Sequence, residues 1–189
     1  MATKDSSPLQ AVDLAELLLK YSTKVGAAGN ANTGNAAGSL GKYISTTQWA
    51  GGVANDLFDD VSGAENTALT VDYRCLFFHN SDPSQSVTDL RIWISAEVAL
   101  GTSIALAVDS VAASALANAS AQALEIATET TAPAGPLTFS SPVNDAAGLV
   151  LGTIAAGQVK AFWVRRTAAN NAALAADGFT LGWAYDTAA

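Results

Sequence analysis

From about residue 67 onward this sequence predicts an all-β fold, an antiparallel β-sandwich. Three observations predict it. Apolar residues recur with a period of two, not 3.6, through residues 69–78, 87–95 and 178–186. Clusters of turn-forming residues separate these segments roughly every ten residues. No regular helices intervene, and a parallel sheet would need them as crossovers.

Residues 1–66 read as an N-terminal arm ahead of the sandwich at 67–189. Leu9, Val12, Leu14, Leu17, Leu18 and Tyr21 recur at helical spacing and predict one short amphipathic helix over residues 9–21. Ser6 or Ser7 can cap it, and Pro8 suits its first turn. Residues 26–41 are rich in Gly, Asn, Ala and Ser, have little to bury, and read as a linker. Residues 43–66 read as an anchoring segment. It holds a possible strand at 43–49, a Gly51-Gly52 break, and an apolar patch of Leu57, Phe58 and Val61 in a turn or single helical turn.

In the sandwich, Val71, Tyr73, Cys75 and Phe77 share one face of a strand, and Arg74, Leu76 and Phe78 share the other. The apolar character of both sets near the end predicts burial on both faces. His79 to Ser84 form a turn cluster. Leu90, Ile92 and Ile94 oppose Arg91 and Trp93 in the next strand, and Ile104, Leu106 and Val108 alternate in a third. Residues 112–123 are ambiguous. Strands are expected at 123–128 and 137–139, and a hairpin at 148–154 and 158–167. The closing strand at 178–186 places Phe179, Leu181, Trp183 and Tyr185 on one face.

Composition narrows the function. Of 189 residues, 40 are alanine, and only 14% are charged, against about 25% in an average globular domain. A surface so poor in charge suits a chain covered by neighbours, although a general alanine bias would give the same composition. The net charge of −8 argues against direct nucleic-acid binding and against docking on an anionic membrane. No run of about 18 apolar residues is present, and the N-terminal residues lack the apolar core of a signal peptide. A soluble protein made in the cytoplasm is expected. Cys75, the single cysteine, reads as an inert buried thiol.

Chemistry has few candidates. The single histidine, His79, reads as a solvated turn residue; its neighbours Ser81, Asp82 and Ser84 lie in the same loop, whereas a triad draws on separate elements. Asp56, Asp59, Asp60 and Glu65 supply Ca²⁺-type oxygens but lack the alternating spacing of a calcium loop. No phosphate-binding glycine loop occurs. No catalytic residue, metal site or cofactor is expected, and the chain reads as a non-enzyme. Arg165 and Arg166 end a strand and point to opposite faces. One can pair inside the protein while the other meets an acidic segment such as 56–65 of another copy.

Two stretches carry a resemblance. The first is Asp56-Leu57-Phe58-Asp59-Asp60-Val61-Ser62-Gly63-Ala64-Glu65, followed by Asp72-Tyr73-Arg74-Cys75-Leu76-Phe77-Phe78-His79-Asn80. The second is Leu151-Gly152-Thr153-Ile154-Ala155-Ala156-Gly157-Gln158, running into Ala161-Phe162-Trp163-Val164-Arg165-Arg166-Thr167. Together, over residues 45–189, they resemble structural proteins encoded in the virion modules of tailed bacteriophages. The resemblance implies an Ig-like or jelly-roll-like sandwich and a place in the particle, with no catalytic residues to carry over. A small acidic block with an arm suits a capsid decoration or cement protein, assembled in the host cytoplasm. Its partners would be copies of itself and other virion proteins, namely the major capsid protein or tail and neck subunits. Expected contact residues are Leu14, Leu17, Leu18, Asp59, Asp60, Arg165 and Arg166. Two alternatives stand beside this. One is a neck, tail or baseplate subunit. The other is a glycan-binding module using Trp49, Trp93, Trp163 or Trp183 as stacking platforms. A cell-wall hydrolase lacks any recognisable nucleophile, acid or metal set.

Overall fold

A computed structural model describes residues 16–26, 31–98, 101–172 and 177–188. Its strands are β1 (Leu17–Thr23), β2 (Tyr43–Gln48), β3 (Val71–Asn80), β4 (Ser86–Glu97), β5 (Ser103–Val108), β6 (Ser114–Ala115), β7 (Leu149–Ile154), β8 (Gln158–Thr167) and β9 (Phe179–Ala188), with one short helix, α1 (Gly63–Ala68). They form two antiparallel sheets. The larger runs β2-β1-β3-β8-β5, with β6 continuing the β5 side of β8; the smaller runs β7-β4-β9. The chain is an all-β sandwich, as its alternating pattern predicts.

The pleat sorts the side chains into two cores. Leu76 and Phe78 of β3, Phe162 and Val164 of β8, and Leu17, Leu19 and Tyr21 of β1 point between the sheets. There they meet Val87, Leu90, Ile92 and Ile94 of β4 and Leu151 and Ile154 of β7. Phe179, Leu181, Trp183 and Tyr185 of β9 all pack into this core. Cys75, Phe77, Ala161 and Trp163 point the other way into a second core on the outer face of the larger sheet. Burial on both faces of β3 is therefore as expected. In β4 the pairing slips around Asp89, whose φ is 49°. That bulge shifts the phase, so Val87 and Leu90, three residues apart, both reach the core.

The second core is roofed by irregular chain. Ala123 and Ile126, with Leu116, Leu124, Leu137 and Phe139, cover the larger sheet's outer face. The strand expected at 123–128 reduces to one isolated bridge, Glu125 with Gly41, and residues 137–139 form none, the nearest being Ser140 with Leu106. These segments lie over the sheet, so few of their backbone groups run alongside another strand. Gly41 allows the close approach. Its φ is +90°, and a Cβ there would stand 1.9 Å from the Leu124 carbonyl oxygen.

Two expectations are overturned. The 148–167 segment is not a hairpin: β7 pairs with β4 while β8 pairs with β3 and β5. The turn at 155–157 carries the chain from one sheet to the other. Buried Asn80 fixes that corner, its amide donating to the Ile154 carbonyl (3.0 Å) and the Gln85 carbonyl (2.8 Å), while its backbone carbonyl accepts from Gly157 N–H (2.9 Å). The arm is also corrected. Residues 17–21 of the expected helix form β1, paired with both β2 and β3; residues 9–15 lie outside the described residues. The run Leu17-Leu18-Leu19 fits either period, and the vacant place beside β3 selects the extended one. In the expected linker, Ser39 is fully buried. Its carbonyl accepts from Cys75 N–H (2.8 Å), and its hydroxyl donates to the Cys75 carbonyl (2.5 Å). Leu17–Thr23 and Tyr43–Gln48 thus add two strands to the larger sheet.

Candidate functional site

The buried ionisable residues among those described gather in three places. The first lies at the Val71 end of β3, where residues 56–59 close the gap between the sheets. Three strand side chains hold this strap by its backbone. Tyr21 donates its hydroxyl to the Asp56 carbonyl, Arg74 Nε donates to the Leu57 carbonyl (3.1 Å), and Arg166 donates to the Asp59 carbonyl. Leu57 and Phe58 are buried beneath, and the guanidinium carbons of Arg74 and Arg166 lie 5.4 and 4.8 Å from the Phe58 ring centre. Arg166 donates Nε (3.1 Å) and an η-nitrogen (2.6 Å) to one carboxylate oxygen of Asp72, both residues being buried. Arg74 pairs with Glu129. Such pairing is what makes buried guanidinium groups tolerable.

The second place is Asp109, buried under the roof. It accepts from Trp163 Nε1 (2.6 Å), Leu124 N–H (2.9 Å) and Val111 N–H (2.8 Å). Lys160 donates to the carbonyls of Asp109 (2.7 Å) and Val111 (2.5 Å). Every contact is internal, and the cluster fastens the roof to β8.

The third lies at the opposite end of β3. His79 is not in a turn, as expected, but is the penultimate residue of β3 and is buried; the turn starts beyond Asn80, where the Asp82 carboxylate accepts from Ser84 and Gln85 N–H (both 2.7 Å). Burial first, and the Lys20 ammonium second, lower the His79 pKa to about 4, so the imidazole is neutral. Its Nδ1 is buried without a hydrogen-bond partner. Lys20 is half-buried on β1, and desolvation lowers its pKa.

The expected contact residues divide. Leu14 lies outside the described residues. Leu17 is buried in the inter-sheet core, and Arg166 is held by Asp72 and Asp59 of its own chain. The strap folds back on its own β8, which is why Arg166 meets the acidic segment in cis. Arg165 points to the other face, as the alternation predicts, and stacks on Phe139 at 5.0 Å. Leu18 is half-buried, and Asp59 and Asp60 are exposed. The acidic set does not converge. Glu65 and Ser62 form the capping box of α1, and Asp59 pairs with Arg166. Among the described residues no group of three or more His, Cys, Asp or Glu is placed to hold a metal. No described helix is long and apolar enough to cross a membrane. Of the tryptophans, Trp163 is fully buried, Trp49 and Trp183 pack against the inter-sheet core, and Trp93 lies across Gly182 on the outer face of the smaller sheet.

Lys20 and Asn80 were not foreseen. Lys20 fell inside the expected helix, although its polar position between Leu19 and Tyr21 fits strand alternation. No family model, curated protein or solved structure matches the chain.

Proposed function

We propose that this chain is a structural protein of a tailed-bacteriophage particle, decorating or cementing the capsid through subunit contacts. One observation carries the reading: a rigid sandwich that spends its charges inward. With only 17 acidic and 9 basic residues to begin with, it buries Asp72, Arg74, Asp82, Asp109, Lys160 and Arg166. The surface that remains is poorer in charge than a freely soluble monomer ordinarily keeps, and repeated weak contacts over such a surface add up in a lattice. The sequence resemblance points to the same class. A neck, tail or baseplate subunit would use the same block in a closed ring. For the glycan-binding alternative, Trp93 is the tryptophan that packs in neither core. Mass spectrometry of purified particles from a phage encoding this chain tests the proposal: the protein is expected in stoichiometric amounts, and its absence would reject the reading.

A further inference from the structure

The two sheets are finished differently. The larger sheet carries a core on each face, one between the sheets and one under the roof. The smaller sheet carries a core on one. Leu90, Ile92 and Ile94 of β4, Leu151 of β7 and the aromatic row of β9 point inward. The pleat therefore turns Arg91 and Trp93 of β4, Val150 of β7 and Asp186 of β9 outward. Among the described residues no cluster of buried apolar side chains forms on that outer face. Pairing sets its residues in rows. Val150, Arg91 and Ala184 lie side by side across all three strands. In the next row along β4, Trp93 stands opposite Gly182. A Cβ on Gly182 would meet the indole at 2.5 Å, so the ring rests directly on the β9 backbone. Val150 is 51% exposed, and Trp93 is half-buried.

Charge decides what such a face can meet. Asp89 pairs with Arg91 at 2.8 Å. The turn Asp145–Ala147 brings a second carboxylate, and it is pressed against the same strand: a Cβ on Gly148, which follows it, would stand 3.1 Å from the Arg91 Cβ. Asp186 brings a third from β9. The hydrogen bond and charge of Asp89 raise the Arg91 pKa, partial desolvation opposes them, and the charges of Asp145 and Asp186 add to the rise. Asp145 and Asp186 are exposed, and neither has an ion-pair partner among the described residues. Asp89, Asp145 and Asp186 against Arg91 alone leave the face with negative charge in excess. A second copy does not supply the missing cations. Among the described residues every exposed charged side chain is an acid, and each lysine and arginine is at least partly buried. Two such faces brought together oppose acid with acid. A neutral sugar stacks on an indole but leaves the excess charge unanswered. An arginine answers both features, because its planar guanidinium stacks on an indole and forks onto carboxylates. We propose that the outer face of the smaller sheet docks a basic, arginine-bearing surface of a different protein. The inference deepens the particle reading, on which it rests only for naming that protein as another virion subunit.

The test titrates the full chain at low ionic strength with a soluble peptide of alternating arginine and valine. The indole proton resonances separate the faces, Trp93 being identified by the signal lost in Trp93→Phe. Saturable binding is expected that weakens with salt, moves the Trp93 signal and leaves that of buried Trp163 in place. Trp93→Ala is expected to weaken binding about threefold or more. That change also bares Gly182, so a second variant decides. Asp145→Asn with Asp186→Asn removes carboxylates that hold nothing in the fold, and it is expected to weaken binding about tenfold with an unchanged melting midpoint. Asp56→Asn, which removes a charge from the strap, is expected to leave binding as it was. Absence of saturable binding overturns the proposal, and so does binding that survives the double change. An equal loss in Asp56→Asn reports net charge alone and also overturns it. A Trp93 signal that moves on dilution of the chain by itself assigns the face to a second copy. One that moves with a neutral glucose oligomer and not with the peptide assigns it to a glycan. Either result overturns the basic partner. Peptide binding needs no particle, and none of these failures removes the protein from purified particles, so the two readings fail separately.

Discussion

Arg166 is buried at the base of the sandwich because three kinds of partner surround it: the Asp72 carboxylate, the strap carbonyl of Asp59, and the Phe58 ring. Removing the guanidinium strands Asp72, one of whose oxygens already lacks a hydrogen bond. Arg166→Met is expected to cost about 3–5 kcal/mol in urea unfolding, and the double change Arg166→Met with Asp72→Leu distinctly less, since no lone charge is left behind. His79 gives a pH dependence whose sign follows from its burial. Its pKa is about 4 in the folded chain and about 6.5 when unfolded. The unfolded chain therefore takes up the proton first as pH falls. Stability is greatest above about pH 6.5, declines as pH falls toward 4, and levels off below. Denaturant midpoints across that range for the wild type and a His79→Leu variant check this: the variant's curve is expected to be flatter.

Among the elements, the strands of the sandwich body were legible because alternation is a local signal. Leu90, Ile92 and Ile94, and the aromatic face of β9, read correctly from spacing alone. What was not legible is which strand meets which. The β7–β8 corner looks like a hairpin because its turn is short and glycine-containing, but the decision is made by Asn80, some 75 residues earlier in sequence, which ties Ile154 away from β8. Asn80→Ala is expected to cost about 1–3 kcal/mol by leaving the Ile154 and Gln85 carbonyls unpaired, measured by chemical denaturation. The β1 error has a similar root: three successive leucines satisfy two periods, and only the neighbouring strand separates them. The capping box of α1 is a local device on a helix that buries nothing. Ser62→Ala should cost about 1 kcal/mol of local stability, seen as faster amide exchange at residues 63–68 with little change in the global midpoint.

Across the whole molecule, the ladders that matter join distant parts of the chain. β3 pairs with β8 from Val71 with Thr167 to His79 with Val159, and β4 pairs with β9 from Ser86 with Ala188 to Glu97 with Phe179. Pairings this remote in sequence are slow to find, and refolding in milliseconds to seconds is expected from stopped-flow tryptophan fluorescence. Cys75, fully buried with its thiol pKa raised by burial, offers a second reporter. Its alkylation is expected to be negligible in the native state and to rise only with global opening. The pairing of β4 with β9 also bears on synthesis. β9 leaves the ribosome well after β4 and β7, so a nascent chain holds one edge of the central strand open until Phe179–Ala188 arrive. Until then that edge is a template on which a chaperone or a wrong strand can pair.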